Sequence, residues 1–255
     1  MKMRNIIVII LLMQSGVLYA QKFITHGSIE FEVKTNVHRM MKALLEDEES
    51  SFWESIVASQ PQFNVTYYKY EFNDNKGVFR FDRSADKRNA GMMFLGRVSE
   101  DDYWYNDYTN NKFINLKSID DNYIISGDLP NIQWRIYPND QTNIAGFQCR
   151  RASTILFDSV YVFAFYTDEI KISGGPMGLH GLPGMILGVT IPRLYTSWVA
   201  TSVTLSTPDI KPPTKGKQKS YDEMMKILTD ISKSRAREWK NAERWSHPMI
   251  WRTFL

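Results

Sequence analysis

A chain of 255 residues with 31 Lys and Arg against 28 Asp and Glu carries a formal charge of +3. That balance is too even to predict a nucleic-acid partner. The single cysteine, Cys149, excludes an intramolecular disulfide and is expected in the core as a small hydrophobe rather than a reactive thiol. Aromatic residues make up 13% of the chain, which favours a β-rich protein over a helical bundle.

Lys2 and Arg4, the apolar run Ile6 to Met13 and the small residue Ala20 before Gln21 have the layout of a secretory signal peptide cut after Ala20. The run is shorter than the roughly 20 residues of a membrane span. Gln21 stands where a lipoprotein would carry a lipidated Cys. The expected mature chain is therefore periplasmic or secreted, unanchored, without a transmembrane segment, and charged +1 once Lys2 and Arg4 are lost.

Gly27 to Asn36 sets Ile29, Phe31 and Val33 against Glu30, Glu32 and Lys34, the period of a half-buried antiparallel strand. From Val37 the apolar residues recur at three and four, predicting an amphipathic helix to about Ser59 with an interruption at Asp47 to Ser50. Short strands follow at Phe63–Phe72, Val78–Asp82, Asp102–Tyr108, Lys112–Leu116, Tyr123–Ser126, Ile132–Tyr137, Phe147–Phe157, Ser159–Tyr166, Met185–Ile191 and Thr196–Leu205. Asn73 to Gly77, Asn110-Asn111, Pro138 to Asp140 and Asp158 supply turn chemistry between them. The pattern is α+β and mainly β: a curved antiparallel meander, half-barrel-like, with a helix after the first strand. Residues 21–206 form this domain, 207–219 a Pro/Lys linker, and 220–255 a basic C-terminal helix and apolar tail, the helix opened by a Ser220-x-x-Glu223 capping box.

Gly174 to Gly188 is saturated with Gly and Pro and feeds straight into an apolar strand. Such a loop is either a rigid corner or a binding surface, and both readings stand. Its candidate contact residues are His180, Gly181, Leu182, Pro183, Gly184 and Met185. Nucleophilic catalysis would need Ser or Cys beside a positioned His and an acid, and no such constellation or Gly-x-Ser-x-Gly elbow is present. Asp168 and Glu169 are adjacent in a strand and point to opposite faces. Met177, His180 and His38, with Met40 and Met41, are weak candidates for copper(I), without any closely spaced ligand run. No cofactor is implied.

Gly181-Leu-Pro-Gly-Met-Ile186 resembles the signature hexapeptide of the GLPGLI family of exported Gram-negative proteins. Ile144 to Ala152, Phe165 to Pro176 and the first strand ending at Asn36-Val-His-Arg39 are similar to further segments of that family, in the same order. Met185 replaces the usual Leu, a volume-conserving change. The resemblance implies export and a shared fold but no activity. In element order the chain is also similar to the half-barrel of periplasmic lipoprotein carriers. The function expected on these grounds is non-enzymatic binding or carrying of an apolar molecule or peptide in the envelope. The alternatives are an interaction module for an outer-membrane or secretion partner and, third, a hydrolase.

Overall fold

The structure, a computed structural model, describes residues 23–45, 51–85, 100–119, 121–238 and, near the C-terminus, 247, 248, 250, 251, 253 and 254. The expected signal peptide and the break at Asp47 to Ser50 lie outside the described residues.

Alternation builds β1 (Gly27–Asn36): Ile29, Phe31 and Val33 are buried, and the charged residues between them face the other way. At Asn36 the side-chain oxygen accepts the Arg39 N–H at 3.0 Å, capping α1 (Val37–Leu44). Val37 and Met41 of α1 pack against Val57 of α2 (Ser51–Ser59). Ten further strands follow: β2 (Phe63–Asn73), β3 (Lys76–Ser84), β4 (Tyr103–Asp107), β5 (Lys112–Ser118), β6 (Asn122–Asp128), β7 (Arg135–Ile144), β8 (Phe147–Leu156), β9 (Val160–Thr167), β10 (Met185–Ile191) and β11 (Thr196–Thr204). A short β12 (Lys217–Lys219) and α3 (Tyr221–Glu238) complete the described elements.

All twelve strands form one sheet in the order β12-β6-β5-β4-β3-β2-β1-β11-β10-β9-β8-β7. It is two antiparallel meanders joined where β1 pairs with β11. The mainly antiparallel curved sheet, the helix after the first strand and the C-terminal helix are all present. One feature makes the sheet mixed: β12 runs parallel to β6.

The connectivity explains the curvature. Strands β6 and β7 stand ten positions apart in the sheet, about 48 Å if it were flat. Yet only residues 129–134 join them, a span of at most about 25 Å. The sheet must curl until its two ends approach, and residues 129–134 form a chord across the open side.

One local expectation changes. Pro138 to Asp140 is not a corner between strands but a bulge within β7, looped out between Tyr137 and Gln141 and tied by an Asp140–Arg151 ion pair of 2.6 Å. The turn itself lies at Ala145-Gly146, both with positive φ, because a two-residue hairpin requires that backbone. A proline and a bulge on the free β7 edge, and a three-residue lysine-bearing β12 at the other, are the devices that discourage edge-to-edge association.

Residues 207–216 cross the outer face of the sheet as a strap. Asn73 donates to the Pro208 carbonyl at 3.2 Å, and the Tyr103 hydroxyl to the Lys211 carbonyl at 2.9 Å. Gly216 lies against Ile124 and Leu116. The outward-pointing Val78, Tyr105 and Ile124 are buried on this side. Rounding the β6 edge, the chain enters α3 through the expected capping box: Ser220 N–H donates to Glu223 at 2.8 Å and Glu223 N–H to Ser220 Oγ at 3.2 Å. Met224 and Leu228 then pack on Tyr123 and Ile125 of the inner face.

Candidate functional site

The Gly-Pro loop lies inside the curl. Met177, Leu179 and Leu182 are buried in the main core with Phe31, Tyr68, Tyr70, Phe79 and Trp104 from the inner face of β1 to β4. Pro176 to Gly178 make one 3-10 turn in which Met177 takes a left-handed φ of 54°, a strained value for a residue with a side chain. Two glycines are required by close approach. A Cβ on Gly184, where φ is +144°, would stand 2.0 Å from the Thr167 carbonyl oxygen, and one on Gly174 would stand 2.2 Å from the Tyr70 hydroxyl.

Each end of the loop re-enters the sheet by backbone pairing, with Ile186 N–H donating to Gly174 O at 2.8 Å and Met185 N–H to Ile170 O at 3.1 Å. Its outer flank is stitched to the chord: Trp134 Nε1–H donates to the His180 carbonyl at 2.8 Å. His180 Nδ1 lies 2.8 Å from Gly178 O and Nε2 2.9 Å from Pro130 O. Both ring nitrogens thus face backbone carbonyls, and neither is presented to a substrate or metal.

A polar seam runs below. Asn106 Nδ2 donates to Gly178 O at 3.2 Å and to the Tyr108 hydroxyl at 3.3 Å, and the Tyr70 and Tyr108 hydroxyls are 2.9 Å apart. Burial pushes both phenols above their ordinary value, most strongly at Tyr70, so both stay protonated and serve as hydrogen-bond links rather than bases.

Of the remaining sequence candidates, Met177 lies in the loop itself, its side chain in the main core, whereas His38 and Met41 are elsewhere: His38 Nε2 lies 2.8 Å from the Gln60 carbonyl beside the helices, and Met41 packs with Val37 and Val57. Among the described residues no group of three His, Cys, Asp or Glu could hold a metal ion. Cys149 is fully buried, and desolvation pushes its thiol up to about 12, an inert state. Of the six loop candidates, Gly181 and Pro183 are exposed, His180 is half-buried, and Leu182, Gly184 and Met185 are buried.

One charged feature escapes sequence reasoning. Lys117 of β5 is 1% exposed, its ammonium 3.5 Å from the Trp104 ring centroid and 3.7 Å from Asp102. Burial lowers Lys117 to about 8 and raises Asp102, outweighing their mutual attraction in both. Only the register, which places Lys117 opposite Tyr123 on the inner face, reveals it.

Residues 133–188, from the end of the chord through β7, β8, β9 and the Gly-Pro loop to Gly188, match a family described as "Protein of unknown function (Porph_ging)". No curated protein matches the chain. Among solved structures, that of PNGF-II in a P21 crystal form is similar at TM-score 0.51 with 13% identity, covering 80% of this chain and 33% of that one. The likeness is one of fold, and this chain spans about a third of the PNGF-II chain. An uncharacterized conserved protein from Thermus thermophilus aligns at TM-score 0.37 with 5% identity, over 76% of this chain and 90% of that one. Among the described residues no helix is long and apolar enough to cross a membrane.

Proposed function

We propose that this chain is an exported, non-enzymatic envelope protein of the GLPGLI type that works as an interaction module, holding a peptide segment of a partner protein. The observation that carries the reading is the filling of the inner face. Met177, Leu179 and Leu182 occupy the space that a small apolar cargo would need, and the polar atoms of His180 are spent on the chain's own carbonyls. A carrier needs a concave pocket of several hundred Å³, and a hydrolase needs a nucleophile with partners. The recurrence of this fold as about a third of the PNGF-II chain supports a modular use at the level of fold alone. The signal-like leader and the hexapeptide Gly181 to Ile186 support export and the family reading.

Native mass spectrometry of the protein released gently from its own cell envelope tests the proposal. A defined complex with a protein partner, retained by the full chain, is the expected result. A lipid-sized adduct without a protein partner would replace the interaction module with a carrier.

A further inference from the structure

His180 is set between two backbone acceptors on different parts of the chain. Its Nδ1 lies 2.8 Å from the Gly178 carbonyl oxygen, within the Gly-Pro loop, and its Nε2 lies 2.9 Å from the Pro130 carbonyl oxygen, on the chord. A carbonyl oxygen only accepts, so both contacts are hydrogen bonds only when both ring nitrogens donate. Neutral imidazole has one N–H and one lone pair, whereas imidazolium has two N–H groups. In the neutral ring, whichever nitrogen lacks the proton turns its lone pair towards an oxygen at hydrogen-bond distance.

The groups around the ring leave that choice to the two carbonyls. From β4 and the turn after it come Asn106, which donates to Gly178 O at 3.2 Å, and Tyr108, its ring centroid 6.3 Å from that of the imidazole. Tyr108 stays a neutral phenol, because burial raises it above its ordinary value, and it is linked to Tyr70. From the chord comes Trp134, whose Nε1–H donates to the carbonyl of His180 itself at 2.8 Å. Asp128, just before the chord, is paired with Lys112, and Asp107, opposite Lys112, accepts the N–H groups of Thr109 and Asn110.

We infer that His180 is a proton-operated clasp: as imidazolium it ties the Gly-Pro loop to the chord through two backbone carbonyls and closes the open side of the curl, and on losing a proton it gives up one of the two ties. Closure takes up a proton, so by linkage acid favours the closed form. Histidine changes charge between about pH 5 and pH 8, so the clasp tightens in mild acid and loosens as the pH rises through that range. The buried Met177, Leu179 and Leu182 keep the loop in the core throughout, which confines the change to the junction of loop and chord. The clasp operates independently of the peptide-holding role.

Hydrogen exchange of the Trp134 indole N–H, corrected for the intrinsic effect of pH, reads this junction in the full chain. Raising the pH from 5 to 7.5 should increase its opening about fivefold, the net worth of one hydrogen bond. His180→Gln, whose amide has no proton to gain or lose in this range, should remove that dependence. Groups that titrate elsewhere, Lys117 included, are common to both proteins and cancel in the comparison. Equal opening at both pH values in the unaltered chain, or a dependence that His180→Gln leaves intact, overturns the inference. A second measurement needs no variant and so covers one that fails to fold. In the chain labelled with nitrogen-15 and carbon-13, the two ring nitrogens should show scalar couplings across their hydrogen bonds to the Gly178 and Pro130 carbonyl carbons at pH 5, one of which is lost by pH 7.5. A His180 ring with a single protonated nitrogen in the folded chain at pH 5 overturns the clasp.

Discussion

At Gly184 the backbone leaves no room for any side chain, because a Cβ would sit at 2.0 Å from a carbonyl oxygen that β9 holds fixed. Gly184→Ala should therefore lower stability by about 3 kcal/mol or more, read as a fall in the urea midpoint. A loss under about 1 kcal/mol would mean that Thr167 yields. Met185→Leu, in the same hexapeptide, should be nearly neutral, since volume is conserved. The buried Lys117 makes a second prediction. Its folded value of about 8 lies below the ordinary 10.5, so between those pH values the unfolded chain binds more protons and stability rises with pH. Lys117→Met should flatten that rise in urea unfolding measured at pH 8 and pH 10. Asp102→Asn, which removes the opposite charge, should cost about 3–5 kcal/mol near pH 7, and adding Lys117→Met should recover much of the loss.

At the scale of elements, the strap is the piece whose role differs most from its composition. Three prolines and several lysines read as a spacer, yet residues 207–216 cover apolar side chains on the outer face and deliver α3 to the inner one. Deleting residues 208–255 uncovers Tyr123, Ile124 and Ile125 together, each worth roughly 1.5–3 kcal/mol when buried. That sum is a large share of the roughly 5–15 kcal/mol a domain of this kind has to spare. The truncated chain should bind a hydrophobic dye and melt at least 10 °C lower, by about the arithmetic linking free energy to midpoint. An unchanged melt would show that the strap is merely laid on the surface.

At the scale of the molecule, the closure between β1 and β11 joins residues such as Val33 and Trp198 that are far apart in sequence. Long-range pairing of this kind makes folding slow, because loop entropy is lost before the contacts reward it. The same centrality makes β1, β2, β10 and β11 the last to open, while β7 and β12, each paired on one side, should fray first. Native-state hydrogen exchange should therefore find the slowest amides in β1 and β11 and the fastest strand amides in β12. Uniform protection across the sheet would contradict this hierarchy.

Much of the architecture is legible in local pattern. The alternation of Ile29, Phe31 and Val33 places β1, the shift of period at Asn36 places α1, and the Ser220 to Glu223 spacing places the start of α3, since each signal acts within a few residues. The misreadings share a cause. Pro138 looks like a corner because proline cannot donate to a ladder, but β8 accommodates it as a bulge. Lys217 to Lys219 carries no apolar period, and becomes a strand only because β6 offers an unpaired edge.

The candidate site divides in the same way. By itself the sequence determined that Gly174 to Gly188 must hold unusual backbone, because that requirement lies in the dihedral freedom of Gly and Pro. It also determined that the loop brings no nucleophile. Only the tertiary structure decided where the loop goes: it fills the curl, fixes the chord through His180 and Trp134, and rests on Tyr70 and Tyr108. Those partners are brought together by strand order, and strand order is set by pairings across the whole chain that no local period encodes.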